Sequence, residues 1–178
     1  MKNQMKSNQV KTNQKQPQAE VVFFEGFKFW LKIKFVLKLS WGEFMKFNKL
    51  VPELSVSDLE ITKKFYVDVL GFKIEYQRVE DKFLFLSYQG SQMMAQEINN
   101  NWSVGELEKP FGRGINFQIE TNEIFEIQKR LKDNGLQIYK EVFESKYKAE
   151  NVTYTELELL VQDPDGYLLR FQQTIEEN

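Results

Sequence analysis

VPELSVSDLEITKKFYVDVLGFKIEYQ (51–77) is the stretch on which the fold turns. Val51–Val56 reads as a strand. Ser57-Asp58 follows as an N-cap signal with Glu60 in the first turn behind it. Leu59, Phe65, Tyr66, Val69 and Leu70 then form one apolar helical stripe. Gly71 stands where a helix closes with a left-handed residue. Further strands are expected at Phe72–Arg78, Lys82–Tyr88 and Gln92–Glu97, with Glu80-Asp81 and Gln89-Gly90 as the turns between them.

The order then repeats. GINFQIE (114–120) reads as a strand, and Thr121 or Asn122 is expected to cap a helix carrying Ile124, Ile127 and Leu131 that ends at Asn134-Gly135. Strands are expected at Leu136–Val142, Tyr154–Gln162 and Tyr167–Gln173. Asp163-Pro164-Asp165-Gly166 between the last two is a strong turn, with Pro and Gly at favoured places. A repeat this long is no solenoid unit. It predicts an α+β fold of two βαβββ modules, about 49–98 and 113–174, joined by a linker at 99–112. The modules are expected as two curved sheets of one pseudo-symmetric fold.

Composition removes several kinds of chemistry. The 178 residues include neither Cys nor His. Disulfides, zinc fingers, thiolate nucleophiles and histidine-based triads are therefore excluded. Only carboxylates, amides and hydroxyls are left to hold a metal, a donor set for Mg, Ca or Mn. Glu106-Glu108, Glu156-Glu158 and Asp163-Asp165 are the acidic pairs, and they read first as solvated faces or turn chemistry. Residues 1–50 hold ten Lys and three Glu, while the remainder holds 14 basic and 23 acidic residues. An acidic body speaks against nucleic acid and for cationic ligands.

Residues 1–48 differ in kind. MKNQMKSNQVKTNQKQPQAE (1–20) is a polar tract without the apolar surface to order it. From Phe27 to Leu39 apolar residues alternate with Lys, a strand period. Lys28, Lys32, Lys34 and Lys38 interrupt every candidate secretory or membrane-spanning run. The expectation is a poorly ordered extension, with a basic segment on a membrane surface as the weaker reading, and a cytoplasmic protein.

Residues 51–173 resemble the vicinal oxygen chelate superfamily, which includes glyoxalase I, extradiol dioxygenases, fosfomycin-resistance enzymes and bleomycin-resistance proteins. The carriers are VPELSVSDLEITKKFYVDVLGFKIEYQ (51–77), PFGRGINFQIE (110–120), RLKDNGLQIY (130–139) and LVQDPDGYLLRFQQ (160–173). The opening PEL, a Trp in the mid-loop, PFGRG and LLRF look most like the bleomycin-resistance branch.

The resemblance implies that the two modules pack their curved mixed sheets into an open cup, with four metal ligands, usually His or Glu, inside it. Those positions fall on Val51, beside Glu53; on Ala95 to Glu97, where Glu97 serves only in the right register; on Asn116; and on Arg170. Val has no donor atom and a protonated guanidinium has no lone pair to offer. Loss of the metal, no cofactor and no enzyme activity are the expectation. The resemblance also implies a homodimer with two clefts, each built by both chains.

A cup without an ion is a pocket. Trp102 and Phe111 are expected to stack on a planar or cationic ligand, with Phe85 in the wall and Phe83, Met93 and Tyr147 as further wall candidates. Glu97, Glu106 and Glu108 are expected near its charged tail. Arg170 is expected to neutralise Glu53, and Arg113 to pair with a carboxylate. The expected function is sequestration of bleomycin-type cationic glycopeptides without catalysis. The alternatives are an enzyme with an atypical carboxylate metal site, or a module for an unrelated small molecule.

Overall fold

The computed structural model describes residues 46–177. The first module runs β1 (Glu53–Val56), α1 (Leu59–Lys63, continuing through Lys64–Val69 in wider π-helical turns), β2 (Lys73–Arg78), β3 (Phe83–Tyr88) and β4 (Ser91–Glu97). The second runs β5 (Asn116–Glu120), α2 (Ile124–Asp133), β6 (Ile138–Ala149), β7 (Val152–Gln162) and β8 (Leu168–Glu177). Each module is a four-stranded mixed sheet, ordered β1-β4-β3-β2 and β5-β8-β7-β6. In each, the first strand is parallel to the last and the other pairs are antiparallel. The α+β fold of two βαβββ units is the one expected.

Local chemistry explains the first helix. Asp58 lies outside helical geometry and its carboxylate accepts the Ile61 N–H at 3.0 Å, satisfying a donor that a helix start leaves free. Gly71, at φ +86°, turns the chain into β2. The second helix departs from expectation. The residue before it is Glu123, whose side chain caps nothing. Thr121 Oγ1 accepts the Glu123 N–H, and Gln173 from β8 accepts the Ile124 N–H. A strand some fifty residues away supplies what the local sequence does not.

Alternation along the strands builds one core. Leu54 and Val56, Leu84, Leu86 and Tyr88, Met93 and Ala95 bury one face of the first sheet under α1. Ile119, Leu159, Val161, Leu169 and Phe171 do the same in the second, under Ile124, Ile127 and Leu131. Both sets belong to one hydrophobic cluster, and Tyr88 meets Phe171 edge-on at 6.0 Å. Each fully buried side chain of this size stabilises the fold by roughly 1.5–3 kcal/mol. The other face of each sheet is left out of that cluster.

Two boundaries shift. Gln92 donates to the Lys46 carbonyl, Asn48 donates to Gln92, and Phe47 sits edge-on to Phe85, so the domain reaches back to Lys46 rather than starting at 49. β6 extends through FESKYKA (143–149), beyond the expected end at Val142, because β7 pairs with it up to Val152. The alternating Lys segment of 27–39 lies outside the described residues.

Candidate functional site

The DPDG turn fastens the modules together. Tyr66 donates its hydroxyl to Asp163 at 3.0 Å, and Asp163 also accepts the N–H groups of Asp165 and Tyr167. Burial pushes the Asp163 carboxyl up to about 6, although these hydrogen bonds oppose it. The buried Asp165 carboxylate accepts from the Ser57 N–H and hydroxyl and pairs with Lys109 at 2.8 Å. Gly166 and Gly112 permit close approach. A Cβ on Gly166 would stand 2.4 Å from Pro110 Cβ, and one on Gly112 would stand 2.5 Å from the Tyr167 ring. PFG and DPDGY are thus two halves of one joint.

Phe111 belongs to that joint. It is buried, 5.9 Å from the Tyr167 ring, and its N–H donates to the Asp165 carbonyl. It is no ligand platform with Trp102, which is 73 % exposed in the linker. Arg113 donates to the carbonyls of Pro110 and Lys109 and pairs with Glu108 at 3.6 Å, the expected carboxylate pairing. Glu106 and Glu108 line a separate linker groove with Val104 and Leu107.

The outer faces of the two sheets differ in chemistry. On the first, Tyr76 stacks on Phe83 and Phe85 at 5.7 and 5.2 Å, Phe47 closes the edge of Phe85, and Arg78 lies 3.6 Å over the Phe83 ring. Phe85 is therefore the buried floor of an aromatic stack rather than an open pocket wall. Met93 is buried on the core side of β4 and lines the groove described below. Glu97 also lies on the helix side of β4. It pairs with Lys82 and accepts the Leu59 N–H, so the register rules it out of the outer face. Glu53 is exposed on β1.

On the second sheet, Arg170 donates to Gln118 and stands 3.9 Å from Glu158, which is almost wholly buried. Tyr147 donates its hydroxyl to Glu158, and this bond raises the Tyr147 pKa. Burial, then the nearby Glu158 charge, raises the Glu156 carboxyl, with Arg170 opposing. Arg170 thus neutralises Glu158 rather than Glu53. Neither Glu158 nor Gln118 stood among the expected site residues. The alternation of TELELLVQ (155–162) carries the signal for Glu158, since it puts Glu156, Glu158 and Leu160 on one face.

Between the lead-in to β1 and the free edge of β5 runs a groove of about 490 Å³. Phe72, Met93, Phe117 and Ile119 give it apolar walls, and Asn116 and Gln118 stand on its β5 side. Gln118 is shared with the Arg170 cluster. Apolar walls with a few amides among them are the usual composition of a small-molecule site.

The domain matches the model of the Glyoxalase/Bleomycin resistance protein/Dioxygenase superfamily over residues 46–171. The chain belongs to this superfamily. It is 28 % identical over 123 residues to lactoylglutathione lyase of Haemophilus influenzae, covering 66 % of this chain and 86 % of that one. It is 34 % identical to a superfamily member from Vibrio splendidus 12B01, covering 70 % of this chain and 97 % of that one, with a TM-score of 0.34. TioX from Micromonospora sp. ML1 shares the fold at 16 % identity and a TM-score of 0.55, over 72 % of this chain and all of that one.

The superfamily's metal does not fit these residues. Of Ala95 to Glu97 only Gln96 lies on the outer face, because Ala95 and Glu97 face the helix side. The four positions then offer Val51, the Gln96 amide, Asn116 and Arg170. No carboxylate or imidazole stands among them, and a guanidinium repels the ion it would have to bind. Among the described residues no group of three Asp or Glu is disposed to hold a metal. No helix there is long and apolar enough to cross a membrane.

Proposed function

We propose that this protein is a metal-independent binding protein of the bleomycin-resistance kind, which sequesters planar cationic molecules without making or breaking bonds. One observation carries the reading: Arg170, at a position the resemblance gives to a metal ligand, is joined to Gln118 and Glu158, and Gln118 also lines an apolar groove. The groove supplies apolar surface, while Glu156, Glu158 and Glu120 leave the second sheet's outer face net acidic. That complements a flat cation and speeds its encounter.

A second copy of the chain is the proposed partner. The aromatic outer face of one copy would stand against the acidic face of the other, and both would contribute to each cleft. Sedimentation should show a dimer, and a monomer at all concentrations would remove this part of the reading.

Similarity to lactoylglutathione lyase favours an enzyme instead, and the residues at the four positions argue against it. Titration of tryptophan fluorescence with bleomycin, beside a lactoylglutathione lyase assay with added divalent ions, separates the two. Quenching at micromolar drug with no turnover supports sequestration. Ion-dependent turnover, or no response to the drug, overturns it.

A further inference from the structure

The Arg170 cluster has a feature that a plain structural ion pair does not need. Glu158 is only 4 % exposed at its side chain, yet its guanidinium partner sits at 3.9 Å, the long limit of a salt bridge. Arg170 Nε is buried with no acceptor at all. A buried carboxylate demands a cation, and a guanidinium normally answers with two parallel hydrogen bonds. Here Arg170 spends one side of its fork on the Gln118 amide, leaves another donor idle, and holds Glu158 loosely. Tyr147, 41 % exposed, fixes one Glu158 oxygen, and the other faces the weak partner. Gln118 connects the cluster to the groove.

We infer that Arg170 is the built-in counter-ion of Glu158, and that a ligand's cation binds by taking its place there. The guanidinium keeps the buried carboxylate neutralised while the groove is empty. A guest bearing an amidinium or ammonium on a flat apolar body lies along the groove and presents its charge to Glu158. Arg170 then keeps its Gln118 bond and swings away from Glu158 toward solvent. Neutral analogues of the same shape gain only the apolar contact. This rests on the sequestration reading and adds to it the residue that selects charge.

Benzamidine and its neutral analogue benzamide are the probes, with bleomycin alongside, and affinities are read by calorimetry. Arg170→Gln keeps a donor for Glu158 and removes the competing charge, so benzamidine should bind about tenfold tighter, a change of 1.4 kcal/mol, with benzamide unchanged. Glu158→Gln should weaken benzamidine at least tenfold. The double variant, which leaves no charge unpaired and so guards against misfolding, should match Glu158→Gln. In the unaltered protein, benzamidine but not benzamide should shift the Arg170 Nε–H resonance. If Arg170→Gln weakens benzamidine binding, Arg170 touches the guest and the inference is wrong. If neither variant alters benzamidine or bleomycin binding, the inference falls while sequestration stands. If no probe binds any form, sequestration itself has failed.

Discussion

The two sheets have the same order of strands and bury the same alternate positions, but their outer faces are made of different material. The first carries Tyr76, Phe83 and Phe85 stacked into a platform. The second carries Arg170, Glu158, Gln118 and Tyr147 in a polar network. What the modules share is set by the core. What distinguishes them is the face that the core leaves out, and there a repeated fold is free to diverge. The joint between them is a third chemistry, two buried carboxylates in a four-residue turn.

The joint is where the comparison breaks most sharply. Gly166→Ala adds a Cβ 2.4 Å from Pro110 at φ +96°, and Asp165→Ala strips the acceptor from Ser57 and Lys109. Each should destabilise the domain by about 3 kcal/mol or more in urea denaturation. A loss below about 1 kcal/mol for both would show that the modules do not depend on this turn.

Asp163 gives the joint a pH dependence of known sign. Its folded carboxyl titrates near 6 against 3.8 when unfolded, so the folded state holds the proton more tightly. The stability this contributes is present in full below about pH 4 and is lost as pH rises through about 6, a span worth roughly 3 kcal/mol. Asp163→Asn should flatten that portion of the stability–pH curve. An unchanged curve would place the dependence elsewhere.

Smaller effects separate the faces. Tyr76→Ala removes two stacked contacts and should cost about 1–2 kcal/mol in the same denaturation assay. Trp102→Ala, on the exposed linker, should change stability by less than about 0.5 kcal/mol. Equal costs would mean that the linker tryptophan is held as firmly as the platform.

Much of the architecture was legible before the coordinates. Leu54, Val56, Ile119 and Phe171 declare their faces by alternation, and Asp58 and Gly71 mark the ends of α1. Less legible were features that depend on pairing across the chain. Gln173 caps α2 from β8, and FESKYKA becomes strand only because β7 lies beside it. Arg170 and Asn116 were named through the resemblance, and the partner of Arg170 was not legible. Arg170 found Glu158 instead of Glu53, and Glu97 turned to the helix side, because strand parity and sheet assignment decide which charges meet. Phe111 had the composition of a binding residue and the location of a hinge pin.

The central claim is that a guest is held without an ion. Bleomycin affinity should be measured on protein stripped by a chelator and again with magnesium, manganese and zinc restored. Equal micromolar affinity in every condition is the predicted result. Binding that appears only with a stoichiometric divalent ion would contradict it.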